Sequence, residues 1–405
     1  MFNMMTKIKF RDFFLTLIGG FSLQVANAQS DSGAVDKGKF TFNGYVDVNY
    51  YKNLNNPMSG RNDGISGAAR AFDKTENMFG LGLVQGKMTY TYKNSTVVAD
   101  MVFGPHADLG NYGNAVSFAT FYPWPNAANV GVAGNGSSVT STSLAIKQAY
   151  ITHAFSDKFS ITAGQFGTHV GYEVIDAPLN FHYSLSNLFN NGPFYHIGLK
   201  AEYAVSSKVG LMAGIVNGWD NLYDNNSFKT AIAQVKILPS DKLAFYVNYL
   251  GGNDDVSKDS NGVVRYNQKD ATPSFKQLID LVVNYQITDK FYFGFNGVMG
   301  ALTQQGADMK NWGGAAVYLN YAFSDMFTLG GRADYFDNTA GVMYIGNTQV
   351  HSFTVTGKIN LADGHLMFKP EVRMDIYGNN QFCGSDGVYN KNSQITVGAA
   401  AIYKF

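Results

Sequence analysis

From residue 39 to the C-terminus the chain repeats segments of about 10 to 13 residues in which polar and apolar side chains alternate with a period of two. The last is the clearest. In Gln394 to Phe405 one face carries Ile395, Val397, Ala399, Ala401, Tyr403 and Phe405, and the other carries Gln394, Thr396, Gly398, Ala400, Ile402 and Lys404. Successive side chains of a strand point to opposite faces, so such a segment has one oily and one wet side. The first segment mirrors it: Phe40, Phe42, Val46 and Val48 oppose Thr41, Asn43, Asp47 and Asn49. Nowhere after the N-terminal segment do 18 apolar residues run together, which excludes a helical membrane protein. Only a closed barrel can still satisfy every backbone group in a bilayer.

The N-terminus carries an export signal. Lys7, Lys9 and Arg11 precede an apolar run from Phe13 to Leu23, and Ala26-Asn27-Ala28 supplies the small residues of a cleavage site. The run is too short to span about 30 Å of hydrocarbon as a helix. The expected division is a cleaved signal over 1–28, a short periplasmic lead over 29–38 and a barrel over 39–405. No Cys follows the cleavage site, so a lipidated N-terminus is not expected.

The mature charge balance is 27 basic (30 − 3) against 29 acidic (30 − 1), and no strongly basic face offers itself to nucleic acid. Glu occurs only at 76, 173, 202 and 371, and the other 26 acids are Asp. Asp favours turns and Glu favours helices, so the imbalance argues for strands joined by turns. Cys383 is the sole cysteine and cannot close an internal disulfide.

Short polar connections fall near Lys93-Asn94, Ser156-Asp157-Lys158, Ser206-Ser207, Pro239-Ser240-Asp241, Thr288-Asp289, Ser324-Asp325 and Asp363-Gly364. They alternate with long segments at 53–77, 105–143, 171–193, 219–227, 252–274, 303–311, 338–347 and 379–391. Seven turns and eight loops join 16 strands: 39–51, 79–92, 95–104, 144–155, 159–170, 194–205, 208–218, 228–238, 242–251, 275–287, 290–302, 312–323, 326–337, 348–361, 365–377 and 393–405. This predicts an all-β, up-and-down antiparallel transmembrane barrel with short periplasmic turns and long extracellular loops. Hairpins hidden in 105–143 or 171–193 would move the count within 14 to 18. Asp363-Gly364 predicts a two-residue turn that sets Leu361 against Leu366, Thr356 against Glu371 and Thr354 against Arg373.

Candidate functional residues follow from the inward parity. Lys369, Glu371, Arg373 and Asp375 occupy every second position and must share the lumen face, because the residues between them are largely apolar. Arg332 with Asp334, Lys200 with Glu202, and Lys87, Lys236 and Lys358 are inward by the same count. All are expected to face water, since 16 strands enclose more volume than side chains fill. Loop 171–193, with Glu173, Asp176, His182 and Tyr183, either folds inward to narrow the pore or caps it from outside. Inward folding would set two carboxylates at the narrowest point and give a mild cation preference. No HExxH or comparable metal spacing exists, no Ser–His–Asn pairing stands out and no phosphate-binding loop is present, so neither enzyme activity nor a cofactor is expected.

The stretch from Gln148 to Tyr203 resembles the OmpL-like β-barrel porin family of diderm bacteria. The Thr162-Ala-Gly-Gln-Phe166 strand, the loop from Gly171-Tyr-Glu173 to Asn180-Phe-His-Tyr-Ser184, the Gly198-Leu-Lys200 strand and Ile215-Val-Asn-Gly-Trp-Asp220 carry the likeness. Tyr403-Lys404-Phe405 is similar to the C-terminal signal read by the barrel assembly machinery. The resemblance implies a porin-like protein of the outer membrane, in contact with its lipid and passing small hydrophilic solutes or ions. It implies no particular solute and no catalytic residue. A substrate-selective channel for anions or short sugars, a barrel-anchored receptor or adhesin, and a homo-oligomer all remain open at this level.

Overall fold

The computed structural model describes residues 37–110, 146–222, 224, 226, 228–253, 274–304 and 306–405. The export signal, most of the lead and the hairpin expected as an option within 105–143 lie largely outside these residues. Sixteen antiparallel strands close on themselves, each paired with its neighbours in sequence and the last with the first. They are β1 (Lys39–Asn53), β2 (Met78–Tyr92), β3 (Ser95–Phe103), β4 (Ile146–Ser156), β5 (Phe159–Gly167), β6 (Tyr195–Ala204), β7 (Val209–Val216) and β8 (Thr230–Ser240). The second half comprises β9 (Leu243–Asn253), β10 (Ser274–Gln286), β11 (Phe291–Gln304), β12 (Lys310–Ala322), β13 (Phe327–Asp337), β14 (Gln349–Leu361), β15 (Leu366–Tyr377) and β16 (Ser393–Lys404). Among the described residues, two short α-helices, α1 (Pro105–Gly110) and α2 (Asn187–Asn190), sit in long loops.

Every expected strand exists, with ends displaced by at most about three residues. The largest displacement is at β5, expected to run to 170 and ending at Gly167. There Thr168 turns the chain off the wall: its amide still reaches Phe194 O, while its hydroxyl takes the Val170 amide and pairs with His196.

Register follows the side-chain pattern. Leu361 faces Leu366, Thr356 faces Glu371, Thr354 faces Arg373 and Ser352 faces Asp375. Asp363 (φ 54°) and Gly364 (φ 85°) form the centre of the connecting turn, closed by His365 N donating to Ala362 O at 3.0 Å. Two left-handed central residues define the hairpin turn whose twist matches the strands. The closing seam pairs Asp47 with Ile402 and Asn49 with Ala400, and at the terminal rim Gly44 and Phe405 exchange backbone hydrogen bonds of 3.1 and 3.0 Å.

The outer face is apolar, with exposed rings at the rim of the short turns: Phe155, Tyr203, Phe323, Tyr403 and Phe405. Aromatic rings settle at the headgroup level, where one end is oily and the other wet.

Candidate functional site

Inside the barrel, residues 168–194 do not cap the mouth. They enter the lumen and cross it. His169 Nε2 pairs with Tyr249 O on β9, and the Gly171 amide donates to Asp280 on β10. The Tyr172 amide donates to Asn296 on β11, and its ring stacks on Tyr318 of β12 with centroids 4.0 Å apart. Glu173 then meets Arg332 of β13 at 2.8 Å. Asp176 reaches the far wall, where Lys147 of β4 (2.5 Å) and Gln85 of β2 (2.9 Å) hold it. The chain returns along β1 and β13–β15. The Tyr183 hydroxyl donates to Asp47 and accepts from Asn49, and His182 Nδ1 pairs with Thr356 Oγ1 at 2.7 Å.

The inward row of β15 is what this segment packs against. Lys369 Nζ donates to the carbonyls of Ala177 and Asn180, both at 2.7 Å. Glu371 accepts the amides of Tyr183 and Ser184. Arg373 donates to Leu185 O and pairs with Asp375 at 2.8 Å. On β13, Asp334 takes the Asn187 amide and side chain, while Arg332 binds Ser184 O as well as Glu173. Irregular backbone buried this deeply must find partners for its amides and carbonyls. The alternating Lys, Glu, Arg and Asp supply donors and acceptors at the spacing of a strand face.

These residues are inward as expected, but the expectation that they face water fails for part of the set. Lys369, Glu371, Arg373, Asp375, Arg332 and Asp334 are at most 4 % exposed, and Lys358 is buried as well. The loop has taken the place of water. Glu173 and Asp176, which inward folding would set at the narrowest point, are buried and paired with Arg332 and Lys147, so the argument for a cation preference loses its premise. Lys87, Lys200, Glu202 and Lys236 are inward and only partly covered, and the buried network does not include them. Tyr403 and Phe405 point outward at the rim of the termini.

A second loop, 54–77, also enters the lumen, which sequence reasoning missed. Arg70 is fully buried, pairs with Asp73 and Asp375 (2.7 Å to the latter) and donates to Thr396. Ala71, Phe72 and Leu185 form a small apolar core with Leu109, Ile175, Phe189 and Phe194, so loops from three places share one cluster inside the barrel. The signal was Ala68-Ala69-Arg70-Ala71-Phe72, an apolar stretch in a loop otherwise rich in Asn, Asp, Ser and Gly. Burial of α1 against this cluster pushes the His106 imidazole down to about 4, because desolvation disfavours its charged form.

Cys383 is buried in the loop between β15 and β16, 3.4 Å from the Ser59 hydroxyl. No cluster of three metal-ligating side chains occurs among the described residues. One Ser–His contact exists on the outer wall, Ser95 Oγ to His153 Nδ1 at 2.9 Å. Among the described residues, His153 makes no other hydrogen bond, and its ring packs edge-on against Phe155 with centroids 4.8 Å apart.

Comparison with known proteins places this architecture. The sequence profile of the family described as beta-barrel porin-2, OmpL-like, matches residues 39–405. A search of curated protein sequences finds no match. Among solved structures, the chain is similar to the outer-membrane expressed OmpT of Vibrio cholerae, with 12 % identity over 92 % of this chain and 99 % of that one and a TM-score of 0.54. It is also similar to an anion-selective porin from Comamonas acidovorans, with 9 % identity over 91 % and 100 % and a TM-score of 0.54. A third is the outer membrane channel DcaP of Acinetobacter baumannii, with 11 % identity over 91 % and 97 % and a TM-score of 0.53. At these identities the likeness is one of fold.

Proposed function

The chain belongs to the OmpL-like beta-barrel porin-2 family and is an integral outer-membrane barrel; from that premise we propose that it passes small hydrophilic solutes and ions by passive diffusion. One observation carries this reading: the loops do not seal the lumen evenly. Against β13–β16 they exclude water, whereas the inward side chains Thr152, Lys200, Glu202, Gln234 and Lys236 of β4–β8 keep part of their surface exposed. Inward side chains that keep solvent contact, on a barrel of this strand number, are the wall of an aqueous route. The route runs beside β6–β8, with the 168–194 segment as its opposite bank.

The loop is a fixed bank and not a loose lid, because its anchors lie on strands around most of the barrel and include buried ion pairs. Diffusion through such a slot is limited by size and charge, with no step that stores energy. The protein acts without catalysis or a cofactor in this reading, and it is exported by cleavage after Ala28 and inserted by recognition of Tyr403 and Phe405. Assembly as a homo-oligomer, as in the trimer form described for OmpT, accompanies the proposal.

Purified protein in a planar bilayer tests it. Discrete, ohmic current steps in KCl are expected. A correctly folded barrel that conducts nothing would overturn the channel reading and favour the receptor role.

A further inference from the structure

We propose that the open side of the lumen is an anion route, set by Lys87, Lys200 and Lys236. This deepens the channel reading and rests on it. The ground is a difference in how the lumen treats the two signs of charge. Among the described residues, seven carboxylates on the strands face inward. Six of them, Asp47, Asp100, Asp280, Asp334, Glu371 and Asp375, are at most 4 % exposed. The seventh, Glu202, pairs with Lys200 at 3.4 Å. Three of the loop carboxylates that enter the lumen are paired: Glu173 with Arg332, Asp176 with Lys147 and Asp73 with Arg70.

The lysines have a different environment. Lys87 stands directly across the ladder from Asp100, which should be its partner. Asp100 is already held by Lys147 (3.2 Å), Gln85 (2.9 Å) and Gln148 (3.0 Å), and Lys87 forms no ion pair among the described residues. The Lys236 ammonium likewise forms no ion pair among them and lies 5.8 Å from the Tyr246 ring. Between the strands of Lys200 and Lys236 lies β7, and the residues it sets opposite them are Gly214 and Gly210. Glycine at both places sets no β7 side chain directly opposite either lysine, and the Lys200 ammonium lies 5.1 Å from the Phe166 ring.

On β6 and β8 two inward cations stand against one carboxylate, and Lys87 adds a third ammonium beside the Lys147–Asp100–Asp176 group. The sealed side holds its charges under protein: Arg332 serves both Glu173 and Asp334, Lys147 serves both Asp100 and Asp176, and Asp47 and Asp280 are held by hydrogen bonds alone. A slot with low-dielectric walls and one sign of uncompensated charge concentrates the opposite counter-ion. The chemical class favoured is the small anion: chloride, phosphate and short carboxylates. Exposed charges are screened beyond about 8–10 Å at physiological salt, so the preference should fade as salt rises.

The test is the zero-current potential of bilayers in a KCl gradient, starting at low salt. The unmodified protein should favour chloride. Lys87→Gln, Lys200→Gln and Lys236→Gln together should lower the chloride-to-potassium permeability ratio by roughly twofold or more. Each single variant should move it part of the way. Lys158→Gln, on a turn outside the lumen, should leave it unchanged. Single variants keep the test valid where the triple variant fails to insert. Current steps with potassium preference in the unmodified protein, or a ratio that none of the three lysine variants moves, would overturn the anion route and leave the channel reading intact. No current from a folded barrel would overturn both.

Discussion

Arg332 on β13 donates through Nη1 to Oε1 of Glu173 at 2.8 Å, joining the barrel wall to a segment 159 residues earlier in the chain. Both side chains are buried, and the same guanidinium holds Asp334 and the Ser184 carbonyl. Arg332→Met should therefore leave Glu173 and Asp334 charged and unpaired. Removing one member of a buried pair costs about 3–5 kcal/mol, while removing both members together is often close to neutral. The expected result is a larger or flickering unit conductance in the single variant, with recovery toward normal in Arg332→Met/Glu173→Gln/Asp334→Asn, where no carboxylate of this cluster is left without its cation. Conductance unaffected by either change would show that this pair does not hold the loop.

Acid should loosen the lumenal loops before it protonates ordinary carboxylates. The His106 side chain sits against Phe72 and Tyr183 with its pKa lowered to about 4, burial being the larger cause and the Asp73 charge opposing it. Unfolded or undocked, the imidazole returns to about 6.5. The stabilisation from a neutral buried His is then complete above about 6.5, falls as pH drops from there to about 4, and is constant below. The loss reaches on the order of 3 kcal/mol if the whole shift is realised. Current noise recorded from pH 7 to pH 4 should rise through that window, and His106→Asn should flatten the rise. An identical pH profile in the variant would rule this residue out as the cause.

Deleting Phe405 should lower the yield of folded barrel. It removes two backbone hydrogen bonds to Gly44 and a ring contact with Phe42 at 5.9 Å, all at the rim where the last strand meets the first. The same deletion removes the aromatic handle proposed for insertion. Heat-modifiable mobility and outer-membrane level measure the outcome; Phe405→Tyr should restore both, and full yield in the deletion would dismiss the role.

Gly398 lies on the same seam, facing inward on β16. A Cβ there would come within 2.2 Å of the Tyr50 carbonyl and 2.5 Å of the Tyr51 ring. Backbone cannot yield as a flexible side chain can, so Gly398→Val should lower thermal resistance of the barrel by several degrees or prevent closure. Gly346→Ala, in the loop between β13 and β14 with open space beside it and therefore only the backbone strain of its left-handed φ, should do much less. Equal melting of the two variants would contradict the packing argument.

The strand pattern, the turn at Asp363-Gly364 and the inward parity of Lys369 to Asp375 are all legible in the sequence, because each depends on neighbours in the chain. A period of two decides which face a residue takes. A slip of one residue would put Arg373 into lipid at about 2–4 kcal/mol, so the register has one acceptable solution. What fills the lumen is not legible in the same way. Whether Arg373 meets water or Leu185 O depends on where a loop 188 residues away comes to rest. The same holds for Asp176, which reads as an exposed loop carboxylate and is instead clasped by Lys147 on the opposite wall. Local sequence determines which side chains point into the barrel. Only the tertiary structure decides which of them are neutralised there and which keep their field, because pairing in a low-dielectric interior depends on distance in space and not along the chain.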